Sequence, residues 1–227
     1  MGNRDSKPSP SDFEAAIKHG RIASMKRILK TAEIKNPVLD RETGQTALHC
    51  AAFFGQPEMC CLILDELDGD KKNPRDNIGQ VPLHYALNGQ GFCASGPDGS
   101  KFCTCGFCLA LNPVQWNVAE RSRCILAFHE MYGQLQEESE WNPADCLGET
   151  PLHTAARYGI LDIVRPILSH VGDRQPLDGE GRTPLDAAIE GKTLMEAKYL
   201  MDPSLRMSRI KQYDAIIALL QDLRKHG

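Results

Sequence analysis

The chain has 227 residues, of which 41% are hydrophobic and 25% are charged, proportions typical of a globular protein. Its net charge of −4 argues against nucleic-acid binding, because phosphates require a basic surface. No stretch approaches the roughly 20 apolar residues of a membrane span, and no apolar signal region opens the chain, so we expect a cytoplasmic protein. In that reducing compartment its nine cysteines are expected to be thiols or metal ligands rather than disulfides.

The beginning of the chain carries a candidate modification motif. Residues 1–7 fit the pattern for N-myristoylation, with a glycine at position 2 and a serine at position 6. Gly2 is therefore the candidate lipidation site, and a chance match is the competing interpretation. Residues 1–11 are predicted to form a flexible tether. Because one myristoyl chain binds membranes only marginally, the motif predicts reversible, peripheral attachment to a membrane surface.

One short phrase occurs four times along the chain, each time after a turn that contains aspartate and glycine. It reads Thr-Ala-Leu-His, Val-Pro-Leu-His, Thr-Pro-Leu-His and Thr-Pro-Leu-Asp, and the copies begin at Thr46, Val81, Thr150 and Thr183. The steps between them are 35, 69 and 33 residues, so two steps agree with a repeat of about 33 residues. This phrase resembles the ankyrin repeat.

The resemblance covers most of residues 12–227, and it implies an all-α ankyrin-repeat solenoid of five stacked helix pairs joined by hairpin-like loops. The family implies a protein–protein interaction scaffold or adaptor, without catalytic activity and without a small-molecule substrate. Ankyrin repeats bind mostly through first-helix residues and hairpin tips, and aromatic and arginine side chains are typical interface anchors. The candidate partner-binding residues carried onto this chain are Phe53, Phe54, Asn88, Arg157 and Tyr158.

The repeats of normal length show a clear helical pattern. The first helix is expected to be capped by Ser11 or Asp12 and to end at Gly20. The second helices of the first, second and fourth repeats each carry an apolar face at helical spacing. These faces consist of Ile22, Met25, Ile28 and Leu29, of Met59, Cys60, Ile63 and Leu64, and of Ile163, Val164, Ile167 and Leu168.

The third and fifth repeats are longer than the period. In the third repeat we expect a first helix at about 82–89 and a second at about 118–132, which leaves a cysteine-rich insertion at about 90–117. In the fifth repeat we expect the second helix at 213–223, after a second insertion at about 192–212.

The repeated phrase has a mechanical explanation. Proline costs nothing in the first helical turn, where its missing N–H group would have no partner. Threonine hydroxyls and histidine rings can bond backbone groups at the turn. We therefore predict structural roles for His49, His84 and His153, because a histidine without reactive partners does not indicate catalysis.

Four cysteines fall within the third-repeat insertion, at Cys93, Cys103, Cys105 and Cys108. Their spacing lets a short loop supply several thiolates to one tetrahedral zinc ion, so we predict a structural zinc site. Acylation or redox sensing, which would make the loop a membrane-tethered switch, is an alternative, and so is no specific role. A zinc enzyme is disfavoured, because four cysteines would saturate the ion and catalytic zinc keeps one position open.

Overall fold

The computed structural model describes residues 7–88, 133, 141–197 and 203–226. Within these ranges the regular structure is helical, and the described helices fall into two compact units. The described α-helices of the first unit are α1 (Pro10–Lys18), α2 (Ile22–Thr31), α3 (Ala47–Phe53), α4 (Pro57–Leu64) and α5 (Pro82–Asn88), and a short 3-10 helix covers Gly69–Lys72. The described helices of the second unit are α6 (Pro151–Arg157), α7 (Leu161–His170), α8 (Pro184–Glu196) and α9 (Pro203–His226).

The first helix begins earlier than predicted. Ser9, rather than Ser11 or Asp12, is the capping residue, and Pro10 occupies the first helical position, where proline is well tolerated. The Ser9 backbone N–H and hydroxyl both donate to the Asp12 carboxylate, at 2.8 and 2.6 Å. These bonds hold the pKa of Asp12 below its ordinary value. The expectation of a cap at Ser11 or Asp12 is therefore wrong, because Asp12 acts as the reciprocal partner of the cap.

The first unit consists of two rows of packed helices. The first helices of its repeats contact one another, α1 with α3 and α3 with α5, while α2 packs on α4. The predicted apolar faces of α2 and α4 are buried except for Ile22, which begins α2 and is half-buried. Phe13 and Ile17 of α1 complete the core. The helical spacing of the apolar residues therefore predicted the buried side of each second helix correctly.

The second unit repeats this arrangement with longer final helices. Helix α6 packs on α7 and α8, and α9 contacts both α7 and α8. The predicted apolar face of α7 is buried. Helix α9 begins at Pro203, ten residues before the predicted start at Tyr213, so the predicted start is wrong. Residues 204–212 contain no proline or glycine, and nothing in this stretch therefore interrupts the helix. Residues 192–196 likewise continue α8, so the described parts of the insertion at about 192–212 are helical apart from Ala197, which ends α8.

Helix α8 approaches α6 unusually closely at one glycine. A Cβ atom added to Gly191 would lie 2.0 Å from the Arg157 carbonyl oxygen and 2.9 Å from the Tyr213 ring. Tyr213 is fully buried, and its hydroxyl donates to the same carbonyl at 2.8 Å. The absence of a side chain at residue 191 therefore lets three helices meet at one backbone oxygen.

Aspartate side chains close the hairpin turns. The Asp145 carboxylate accepts the N–H groups of Leu147 and Glu149 at 2.9 and 3.0 Å. Asp76 and Asp178 accept the equivalent N–H groups of their own turns. These bonds satisfy backbone donors that the turn would otherwise leave unpaired.

The chain also carries predictions that fall beyond the described residues. They concern residues 1–6 of the tether predicted for residues 1–11, the insertion at about 90–117 with its four cysteines, and the predicted helix at about 118–132. The last two residues of the predicted tether, Pro10 and Ser11, are helical.

Candidate partner-binding surface

The histidine of the repeated motif forms hydrogen bonds that link one repeat to the next. In α3 the His49 ring accepts the Thr46 backbone N–H at Nδ1, at 3.2 Å, and its Nε2 lies 3.1 Å from the Gln80 carbonyl of the next repeat. Nδ1 must be unprotonated to accept, so Nε2 carries the proton and donates to Gln80. Burial lowers the pKa of His49 to about 4, which keeps the ring neutral. His84 accepts the Val81 N–H in the same way, at 3.2 Å.

In the second unit, a histidine again links one repeat to the next, and the last repeat has an aspartate in its place. The His153 ring accepts the Thr150 N–H at 3.2 Å and reaches the Arg182 carbonyl of the fifth repeat at 3.1 Å. Burial lowers the pKa of His153. In the fifth repeat, Asp186 stands in place of histidine and accepts the Thr183 N–H and hydroxyl at 2.8 and 2.7 Å. A carboxylate caps the helix equally well but has no proton to donate to another hairpin.

Two of the proposed partner-binding residues form an aromatic pair at the end of α3. Phe53 and Phe54 are both half-buried, and their ring centroids lie 5.4 Å apart with the planes at 87°. This edge-to-face geometry is a favoured arrangement for aromatic rings. It holds the partly exposed rings in place, so the end of α3 presents an ordered apolar surface.

Arg157 occupies in α6 the position that Phe53 occupies in α3. Its guanidinium is bonded to the Glu149 carboxylate, and its Nε lies 3.6 Å from the Glu190 carboxylate of α8. The side chain is largely buried and is held between two acidic groups. The arrangement orients the guanidinium, but it also neutralises it, so Arg157 is suited to a fixed contact more than to attraction of distant anions.

This architecture matches that of a known protein family. A family model described as ankyrin repeats, in three copies, matches residues 13–95 and 124–210. The chain belongs to the ankyrin repeat family. A stretch of 56 residues is 45% identical to the NF-kappa-B inhibitor cactus of Drosophila yakuba. That stretch is 24% of this chain and spans 12% of the length of cactus.

Membership of the ankyrin repeat family confirms the predicted all-α solenoid and indicates a protein–protein interaction scaffold. No helix in the described part of the chain is long and apolar enough to cross a membrane. Within those same residues, no group of three or more histidine, cysteine, aspartate or glutamate side chains is arranged to hold a metal ion. The candidate zinc ligands Cys93, Cys103, Cys105 and Cys108 and the candidate lipidation site Gly2 lie outside the described residues.

One of the candidate partner-binding residues is not exposed. Tyr158 is only 5% exposed, so its interpretation as a surface anchor is wrong. Burial raises the pKa of its hydroxyl. Helix α9 comes close to this position, since a Cβ atom added at the next residue, Gly159, would lie 2.8 Å from the Tyr213 ring. Asn88 ends α5, and its side chain is outside the described part of the structure.

The structure also reveals exposed apolar residues that sequence reasoning missed. Ile78 and Leu147 occupy the same position in their hairpin turns, and Leu147 is 67% exposed. Ile189 of α8 is 45% exposed, whereas Ala52 and Ala156 at the same repeat position are buried. An apolar residue at the tip of an Asp-x-x-Gly turn was a visible signal for the hairpin residues. No sequence signal marked Ile189, because its exposure depends on which helices cover it.

The described cysteines separate by environment. Cys50 and Cys60 are buried on α3 and α4, as expected for small apolar side chains of a repeat core. Cys61 is half-buried, and Cys146 is exposed at the fourth hairpin. None of these four cysteines belongs to a group of three or more potential metal ligands within the described residues.

Proposed function

We propose that this ankyrin-repeat chain is a non-catalytic adaptor that binds a protein partner through the first-helix surface of its repeats. The observation that carries the proposal is the ordered, half-buried Phe53–Phe54 pair at the end of α3. Aromatic side chains, phenylalanine included, are enriched at protein interfaces, where a few residues contribute most of the binding energy. Arg157, oriented by Glu149 and Glu190, supports a second contact point in the other unit.

The relative with the matching stretch supports a binding role. Cactus is named as an inhibitor of NF-kappa-B, so its printed role is directed at another protein. We infer the same general mode of action for the repeats of this chain. Because the match spans 12% of cactus, its target is not carried over.

The aromatic pair can be tested with a photo-crosslinking amino acid at position 54, which identifies the partner in cells. Binding of the purified partner is then measured by calorimetry for the wild-type chain and for Phe53→Ala/Phe54→Ala. Truncating a hot-spot pair costs about 2 kcal/mol or more, so affinity is expected to fall at least ~30-fold. Met207→Ala, which removes an exposed apolar side chain from α9, is the matched control. Equal affinities of the double variant and the control would refute this surface.

We also propose that Gly2 is myristoylated and that the chain associates reversibly with the cytoplasmic face of a membrane. The sequence pattern of residues 1–7 supports the modification. Intact mass spectrometry of protein from eukaryotic cells should show the myristoyl increment, and Gly2→Ala should abolish it. An unmodified wild-type mass would exclude the proposed acylation.

A structural zinc ion is the third part of the proposal. Cys93, Cys103, Cys105 and Cys108 offer four soft donors, which is the ligand set of a closed structural zinc site. Binding would stabilise the insertion at about 90–117, since the binding energy of a structural zinc ion is folding energy. Native and denaturing mass spectra separate the outcomes. A zinc increment lost on denaturation supports the site, whereas an acyl or oxidised mass favours the alternative of a redox- or acylation-sensitive switch.

A further inference from the structure

The corner between α1 and α2 carries a concentrated positive charge in an acidic protein. Residues 18–31 contain five lysine and arginine residues and no acidic residue, although the whole chain has a net charge of −4. All five are exposed. They are Lys18, Arg21, Lys26, Arg27 and Lys30, and are here called the basic corner. The ion pairs described in this unit, Lys7–Glu33 and Lys35–Glu66, involve other cations.

The cations of α2 lie on the side opposite its core contacts. Met25, Ile28 and Leu29 are buried, whereas Lys26 and Arg27 are exposed. Successive helical residues are separated by about 100°, which places Lys26, Arg27 and Lys30 within a single arc of about 100° facing away from the buried residues. The α2 part of the basic corner is therefore one continuous face rather than a scatter of charges.

Of the three cations on α2, only Lys30 lies in the last turn, where a positive charge stabilises a helix. Lys26 and Lys30 are one turn apart, and like charges at this spacing disfavour a helix. The corresponding second helix α4 has one acidic residue and no cation, and α7 balances Asp162 with Arg165. The repeat architecture accordingly forms without a basic outer face, so the charge on α2 needs another explanation.

Two neighbouring features point to a membrane. Ile34, just beyond α2, is 66% exposed and could enter the interfacial region of a bilayer. The Lys7–Glu33 ion pair, at 2.6 Å, ties residue 7 to the end of α2. A fully extended chain spans at most about 3.6 Å per residue, so an acyl group on Gly2 is attached within about 18 Å of Lys7. The acyl chain and the basic corner can therefore reach the same membrane.

We propose that the basic corner binds anionic lipid headgroups and supplies the second membrane signal that a single acyl chain requires. Firm attachment to the membrane rests on the proposed acylation of Gly2. The electrostatic attraction between the basic corner and anionic lipids is independent of that acylation. Each lysine or arginine near an anionic membrane strengthens partitioning by about fivefold. A nucleic acid would use the same cations but gives no role to the exposed Ile34, so a lipid surface fits the described residues better.

The test uses the full chain and vesicles containing about 30% phosphatidylserine in phosphatidylcholine, with pure phosphatidylcholine vesicles as the uncharged reference. The variant Lys26→Gln/Arg27→Gln/Lys30→Gln is compared with Arg165→Gln/Arg174→Gln/Lys211→Gln. Both remove three exposed cations, so their net charges are equal. Circular dichroism melting checks that both variants remain folded. Partition coefficients are measured by sedimentation for the unmodified chain and for the chain co-expressed with a myristoyltransferase.

The proposal predicts that the α2 variant loses about 100-fold in partitioning onto anionic vesicles, while the control variant loses much less. Equal losses would overturn it, since net charge rather than the corner would then determine binding. Tighter binding to a DNA duplex than to vesicles, lost in the α2 variant, would also overturn it and assign the corner to nucleic acid. A missing myristoyl increment in cells would remove the proposed acylation, but the unmodified chain would still test the corner.

Discussion

Gly191→Ala is expected to destabilise the second unit, although alanine normally favours a helix. The added Cβ would lie 2.0 Å from the Arg157 carbonyl oxygen, and the neighbouring carbonyl carbon is only 2.9 Å away. These are backbone atoms of α6, so α8 can relieve the clash only by moving away from it. Such overpacking costs typically 1–3 kcal/mol, and at this short distance we take the cost as about 3 kcal/mol or more.

The helix propensity of alanine returns about 1 kcal/mol, which leaves a net loss of about 2 kcal/mol. Separation of α8 would also strain the buried bond from the Tyr213 hydroxyl to Arg157. For a unit of this size, the expected decrease in melting temperature is about 10 °C. The assay is thermal unfolding followed by circular dichroism, with Thr193→Ala on the exposed side of α8 as the control. An unchanged or raised melting temperature for Gly191→Ala would refute the close approach of α6 and α8.

Three further perturbations probe the capping and turn interactions. The pKa of His49 is depressed from 6.5 to about 4, so the neutral ring stabilises the fold above pH 6.5, and up to about 3 kcal/mol should be lost as the pH falls from 6.5 to 4. Urea unfolding of the wild type and of His49→Gln should show this, since the variant lacks the imidazole titration; equally steep pH dependences would contradict the assignment. Thr183→Ala removes the hydroxyl that donates to Asp186 and should cost about 1 kcal/mol in the same assay; no loss would mean that the backbone N–H alone secures the cap. Gly148→Ala should cost at least ~1 kcal/mol, because residue 148 has a φ of 73° and its Cβ would lie 2.8 Å from the Gly179 nitrogen; a melting temperature equal to that of wild type would show that the two hairpins can separate freely.

Sequence periodicity predicted the repeat core but not every helix end. Met59 and Ile63 recur one turn apart, and both are buried as that spacing requires. The repeat period predicts a start for α9 at Tyr213, whereas the helix begins at Pro203, a residue that the first helical turn tolerates. The cap at Ser9 was visible as a serine followed three residues later by an aspartate.

The candidate surface was less predictable than the fold. The position after the first helix holds the half-buried Phe54 in one repeat and the buried Tyr158 in another. Exposure at that position depends on a long-range contact, since α9 places Tyr213 beside Gly159. A repeat motif describes the backbone of each unit, whereas the accessibility of a side chain depends on distant neighbours that the motif does not contain.

The histidine bonds between repeats have a consequence for local unfolding. The Thr46 N–H is held by a ring whose other nitrogen is anchored to Gln80, so releasing this amide to solvent also disturbs the following hairpin. Hydrogen exchange of the Thr46 amide should therefore be as slow as exchange of the buried amides in the following repeat. It should not be as fast as exchange at a fraying helix end. The Thr183 N–H is held by Asp186 alone and should exchange faster. Differences in protection among these helix-capping amides would thus show which repeats are hydrogen-bonded to the repeat that follows them.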